Sequence, residues 1–251
     1  MMNFKKALII GLCLFIILTG VNYLRQQFLT PDEPNGTPVA GAVQFVGKQD
    51  IKPSPYFAAP DFYNMEPNEH LLLLTKFKTR QQGTGYTCAP VAAAMVVEHF
   101  LGKVPHTEME IAKIMSTNKY NGTTIKGVSA YFEKLGWEVH SSANSKTPKS
   151  YSVFLRFVQG FLQENTPIIV ENVEWGGHYR VIIGYDTMGT EYNGDDVLIM
   201  ADSFDLADQV QDGYNVVNAQ KFYYMWFDSK LFSANEQERP WVVARPKREN
   251  L

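Results

Sequence analysis

Two cysteines are all that this sequence of 251 residues contains, and no CxxC pair is among them. That leaves no disulfide framework and no thiolate zinc site to build on. Internal repeats, low-complexity tracts and any basic excess are missing too. The first 30 residues carry Lys5, Lys6 and Arg25 and no acid, so the net charge of −3 arises in a mildly acidic body. Such a body offers no electrostatic footprint for nucleic acid, and no nucleic-acid partner is expected. Asp202, Asp205, Asp208 and Asp212 lack the glycine and spacing of a calcium loop, so neither a metal nor a cofactor is expected. What is present in quantity is apolar: 45% hydrophobic and 13% aromatic residues suffice for a packed core and exclude bulk disorder.

Charge is absent altogether from Ala7 to Leu24, behind the basic start MMNFKK. In helical form that run reaches roughly 27 Å, enough to span a bilayer with little tilt. Its length, and the poor cleavage site around Leu18-Thr19-Gly20, favour an uncleaved signal anchor over residues 1–29, a cleaved signal peptide being the alternative. With Lys5 and Lys6 held inside, the body lies outside the cytoplasm, tethered to the membrane or secreted after cleavage. Residues 30–70 follow as a proline-rich linker, with Pro31, Pro34, Pro38, Pro53, Pro55 and Pro60, an extended tether by composition. Tyr56, Phe57, Phe62 and Tyr63 give it apolar anchors to lay against a domain over residues 71–251.

The body reads as helices and then strands. Thr87 is placed to cap a helix that starts at Cys88, accepts Pro90 in its first turn and ends near Gly102. Further helices are expected after Thr107, over 124–135 with a stripe of Ile125, Val128, Phe132 and Leu135, and over 151–163. After Pro167, short β-branched runs at 168–170, 179–185, 197–200 and 241–243 predict strands. Helices first and an antiparallel sheet afterwards give an α+β domain.

With Cys13 inside the apolar run, Cys88 is the one thiol of the folded body. At a helix start it meets unpaired N–H groups and the positive end of the dipole, which favour a thiolate; a structural cysteine is the other reading. A nucleophilic cysteine needs a base within reach. His99 sits eleven residues further along the same helix, about 16 Å away, and His106 lies beyond it. His70 and His140 have unremarkable settings. His178 differs: Gly176 and Gly177 precede it, and an apolar strand follows. A hairpin closed around residues 189–196 sets His178 opposite Asp202, where the carboxylate can orient the imidazole. Gln82, behind Gly83 and Gly85, is placed to loop back as an oxyanion donor beside the Cys88 N–H.

Gln82-x5-Cys88-Ala-Pro-x-Ala-Ala, the Gly122-Thr123-Thr124 helix start, Gly177-His178-Tyr179 leading into Val-Ile-Ile-Gly-Tyr-Asp, and Asp202 resemble the double-glycine leader peptidases, the bacteriocin-processing type of papain-like cysteine peptidase. The resemblance runs from about Thr79 to Phe227, and Phe222-x3-Trp226 resembles the family's closing segment. It implies a papain-like fold, N-terminal helices packed on an antiparallel sheet. It also implies a catalytic set of nucleophile Cys88, base His178, orienting Asp202 and oxyanion donor Gln82, acting on a peptide or protein substrate. Ala89 stands where the family has glycine, and Ser203 replaces a frequent proline, a change with no expected consequence. No transporter domain accompanies these motifs, so no export role or leader substrate carries over. Acyl or peptidyl transfer from the same cysteine, and an inactive papain-like binding module at the membrane, remain as alternatives.

Overall fold

The computed structural model describes residues 60–205, 211–228 and 237–247. The expected signal anchor at 1–29 and most of the expected linker lie outside the described residues. Among the described residues no helix is long and apolar enough to cross a membrane. The end of the linker lies on the domain, where the Phe62 ring packs 5.6 Å from that of Tyr214.

Helix α1, Cys88–Leu101, is buried at every position from Ala89 to Val97. Small residues allow this: a run of alanines and valines has no polar face to keep wet, so the helix is enclosed on all sides. It ends at Gly102, whose φ of 68° is the left-handed cap that glycine supplies without strain. Helix α2, Glu108–Ile114, begins in a full capping box between Thr107 and Glu110. Helix α3, Ile125–Lys134, is capped by Thr124 and buries Ile125, Val128 and Phe132, the predicted stripe. Gly127 lets α3 approach the end of α2: a Cβ there would stand 2.4 Å from the Met115 carbonyl. Helix α4, Tyr151–Gln163, capped by Ser150, buries Phe154, Leu155, Val158 and Leu162.

Seven antiparallel strands form one sheet among the described residues: β1 (Leu71–Leu73), β2 (Glu138–Ser141), β3 (Ile168–Asn172), β4 (His178–Asp186), β5 (Val197–Asp202), β6 (Tyr214–Asn218) and β7 (Trp241–Arg245). Their order is β2-β7-β3-β4-β5-β6, with β1 pairing the later half of β4. Helix α5, Ala219–Met225, follows β6 and closes the core with Phe222, whose ring meets that of Trp226 at 5.7 Å.

The sheet is covered on both faces. Trp241 and Arg180 both oppose Val170 and so share its face, and there Trp241 packs on Phe157 of α4 at 5.0 Å. Tyr179 points the other way, as strand alternation requires, and its hydroxyl donates to the Thr123 carbonyl at the start of α3. The result is the expected α+β architecture. One detail departs from expectation: in the β4–β5 hairpin Arg180, not His178, stands directly opposite Asp202. The slip is two residues. A shift of two, unlike a shift of one, leaves His178 and Asp202 on the same face at this end of the hairpin.

Candidate active site

The site lies where three chain segments meet: the loop before α1, the start of β4 and the end of β5. Cys88 is the first residue of α1, partly buried and free. Thr87 occupies the cap position, but its side chain makes no capping bond. Its hydroxyl turns back to Thr84 instead, 2.8 Å from the Thr84 hydroxyl. The expected Thr87 cap is thus corrected. The physical reason is that the loop's own turn satisfies that oxygen, and the N–H groups of the first helical turn are left to whatever sits beside Cys88.

His178 opens β4 directly after two residues with positive φ, Gly176 at 88° and Gly177 at 141°, conformations that glycine adopts without a Cβ penalty. Its Nε2 lies 2.7 Å from Oδ1 of Asp202. Both side chains are only 3% exposed. With Nε2 engaged, Nδ1 is the ring nitrogen left for the Cys88 side chain, whose interaction contributes to the raised pKa of His178. Burial alone would lower the pKa of His178. The Asp202 carboxylate, and after it the Cys88 contact, outweigh that and raise it to about 10. Burial would likewise raise Asp202, but the charge and hydrogen bond of His178, then Arg180 and the Phe204 N–H, hold it below the usual carboxylate value.

Arg180 completes this polar line. It is 1% exposed; one guanidinium nitrogen lies 3.1 Å from Glu174 and another 4.0 Å from Asp202. Sequence reasoning passed over it, although a charged residue inside Tyr179–Tyr185, an otherwise apolar strand, is the signal that marks a buried partner.

Gln82 is buried against the other side of this group. Its backbone N–H donates to the Ser203 carbonyl at 2.9 Å. Its Nε2 donates to the Thr84 carbonyl at 2.7 Å, and its Oε1 accepts from the Ser203 hydroxyl at 2.8 Å. A carbonyl only accepts, so the Thr84 contact fixes which end of the amide carries nitrogen. The loop itself is pinned by Glu108, which accepts from the Gly83 N–H at 3.0 Å. Ser203, expected to be without consequence, turns out to orient Gln82.

The other four histidines are occupied elsewhere. His99 meets the Asn165 carbonyl at 3.3 Å, His106 the Tyr131 hydroxyl at 3.3 Å, His140 the carboxylate of Glu138 at 3.1 Å and His70 that of Glu69 at 3.3 Å. A further acid was missed: Glu171 on β3 is 1% exposed. Burial, then the charge and hydrogen bond of Asp228, then Cys88 raise its pKa well above the ordinary value.

The arrangement gathers a thiol, an imidazole and a carboxylate, with the Gln82 amide held beside Ser203. The family model described as the Peptidase_C39 like family matches residues 37–230. No curated protein matches the chain. Among solved structures, the peptidase domain of Streptococcus ComA, described as a bi-functional ABC transporter involved in a quorum-sensing pathway, is similar at 19% identity and a TM-score of 0.46, the likeness covering 68% of this chain and 99% of that one. The peptidase domain of Streptococcus mutans ComA is similar at 17% identity and a TM-score of 0.36, covering 66% and 97%.

Proposed function

The chain belongs to the Peptidase_C39-like family, cysteine-type peptidases of papain-like α+β fold, and on that premise we propose that it cleaves peptide bonds through Cys88, His178, Asp202 and Gln82. The observation that carries this reading is the buried 2.7 Å contact between His178 and Asp202, which leaves the other ring nitrogen to Cys88.

The chemistry follows from the geometry. In the resting site Nδ1 of His178 already holds the thiol proton, as its raised pKa favours, and the sulfur of Cys88 attacks the substrate carbonyl. Negative charge gathers on the carbonyl oxygen as the carbon becomes tetrahedral. The Cys88 N–H, without an intrahelical acceptor at the first helical position, donates to it. A primary amide has two N–H bonds. Gln82 spends one on Thr84 and offers the other to the oxyanion. The imidazolium then gives its proton to the leaving amine, and the C–N bond breaks to leave a thioester on Cys88. Water, deprotonated by the imidazole, releases the acid and restores the resting site. Asp202 holds the ring in one orientation and stabilises its cationic form throughout. The same thioester passes its acyl group to an amine if one outcompetes water, so transfer is the second reading of this site.

The substrate is a peptide or protein. The uncharged 7–24 run supports a membrane tether with the 71–251 domain outside the cytoplasm, residues 30–70 forming the linker.

The test is direct. Full-length protein and a Cys88→Ala variant are incubated with a digest-derived peptide mixture, with and without added glycinamide, and the products are identified by mass spectrometry. New termini that need Cys88 support the peptidase. Glycinamide adducts at those termini would reassign it as a transferase. Iodoacetamide labelling of Cys88 that is unaffected by His178→Ala, with no new termini, would leave only a binding module.

A further inference from the structure

Resting on the peptidase reading, we propose that Trp175 and Phe204 form an aromatic subsite that takes a large apolar or aromatic side chain of the peptide substrate beside the scissile bond. Trp175 lies three residues before His178, in the short 3₁₀ turn Glu174–Gly176. Phe204 lies two residues after Asp202. Their rings meet edge-on, with centroids 6.0 Å apart and planes at 84°.

Both rings are fastened to the catalytic pair. The Phe204 N–H donates to Oδ1 of Asp202 at 2.8 Å, the same oxygen that holds His178. The turn that carries Trp175 is tied down through Glu174, 3.1 Å from buried Arg180. Neither ring belongs to the hydrophobic core or packs against it as a partly buried residue. Trp175 remains 47% exposed although the other three tryptophans are buried. Its backbone sits in the left-handed region, with φ 56° and ψ 11°, which is unfavourable for a bulky side chain and recurs where function requires an orientation that packing does not. An indole kept out of the core, in an unfavourable backbone conformation, next to the reacting groups is a surface for a substrate side chain. The edge-on pair offers the indole face, and charge is withheld from it because Glu174 is committed to Arg180.

The experiment has two arms. In the first, cleavage of a peptide mixture by the wild-type protein is compared with that by Trp175→Ala and Trp175→Phe. At one position flanking the cleaved bond, the wild type is expected to favour aromatic and large aliphatic residues over alanine about tenfold. Trp175→Ala should reduce this to about twofold or less, through KM more than kcat, and Trp175→Phe should restore most of it. Tyr192→Ala removes an aromatic that is 69% exposed in the loop at the opposite end of the β4–β5 hairpin, and should leave the preference intact. A uniform fall in cleavage of all peptides with Trp175→Ala, the preference unchanged, would overturn the subsite and make the ring a screen over His178.

The second arm does not depend on hydrolysis. Because Trp175 is the one exposed tryptophan, acrylamide quenching of tryptophan emission reports on it. In the Cys88→Ala protein, a capped pentaalanine peptide carrying one central phenylalanine should protect against quenching, and unsubstituted pentaalanine should not. Equal protection by both overturns the subsite. Protection by the phenylalanine peptide alone, with no cleavage by the wild type, would sink the peptidase reading and leave the subsite standing.

Discussion

The two ends of the β4–β5 hairpin are built from similar parts and behave in opposite ways. At one end His178 meets Asp202; at the other, the Tyr185 hydroxyl donates to Asp196. All four residues are buried, and both carboxylates are 3% exposed or less. Yet Asp202 is held below the usual carboxylate range and Asp196 above it. Asp202 has a cation on its ring partner, a second in Arg180 and a backbone N–H. Asp196 has burial, a neutral phenol, which pulls its pKa down, and two neighbouring acids, Asp195 and Asp186, which push it up. Burial is therefore common to both ends, and the charge of the neighbours decides whether a buried aspartate stays ionised to hold an imidazolium or becomes a strut.

The largest effect that separates the two ends is on catalysis. His178→Ala should lower kcat/KM for peptide cleavage by roughly 10⁴-fold, whereas Tyr185→Phe, which removes the bond at the far end, should leave it within about twofold. An equal loss from both would break the comparison. Next in size is Asp202→Asn, expected to cost roughly 10³-fold. It also carries a signature in pH. In the proposed mechanism the imidazolium form of His178 is the general acid, and its pKa is raised to about 10 with Asp202 as the chief cause raising it. Activity should therefore hold on the alkaline side and fall as pH passes that value. Asp202→Asn should draw the alkaline limb to lower pH, read from kcat against pH.

A smaller effect tests the amide beside this end. Gln82→Ala should reduce kcat by roughly 10²-fold with KM little changed, since the donor acts on charge that develops in the transition state. Ser203→Ala leaves the donor in place and removes only the hydroxyl that fixes its orientation. A loss of about fivefold in kcat is expected, recovered by Ser203→Thr, which keeps the hydroxyl. Failure of threonine to restore activity would mean that Ser203 acts through packing.

Much of the candidate site was legible because it is written in local pattern. Cys88 and Pro90 in a helical run, two glycines before His178, and an aspartate closing an apolar strand each mark a position. The stripe of α3 and the β-branched runs of β3, β4, β5 and β7 were legible for the same reason. What local pattern does not contain is pairing. The hairpin register was read out of step because the turn was centred too early: Asp186 pairs with Val197, three residues from the expected register, and the bulge at Ile183 reduces the error to two at the His178 end. Strands β1 and β6 were not anticipated: Leu71–Leu73 is three residues long, and Tyr214–Asn218 is half polar. Arg180, Glu171 and Ser203 owe their roles to partners distant in sequence. For the first two a charge inside an apolar strand was the available sign. Ser203 had none, because a serine beside an aspartate announces nothing until Gln82 is folded against it.

The smallest effects concern stability, and they sharpen the comparison because the signs differ. A carboxyl whose pKa is lowered by folding stabilises the fold above its unfolded value, near 3.9, and that contribution is lost as pH falls through the folded value. Asp202 is such a group. Replacing it with asparagine should cost about 3 kcal/mol at pH 7, because His178 is left buried without its counter-charge, and the difference should shrink only as the pH drops below about 4. A carboxyl whose pKa is raised does the reverse: its contribution is complete below the unfolded value and is lost as pH rises through the folded one. Asp196 is of this kind. Asparagine there accepts from Tyr185 as before and carries no charge to desolvate. Asp196→Asn should thus match the wild type near pH 3 and become the more stable of the two as pH rises above about 4, by less than Asp202→Asn loses. Urea midpoints of the three proteins at pH 3, 4, 5 and 7 give both slopes. Slopes of the same sign would show that the two aspartates share one electrostatic environment, and that the neighbouring charges do not distinguish the reactive end of the hairpin from the structural one.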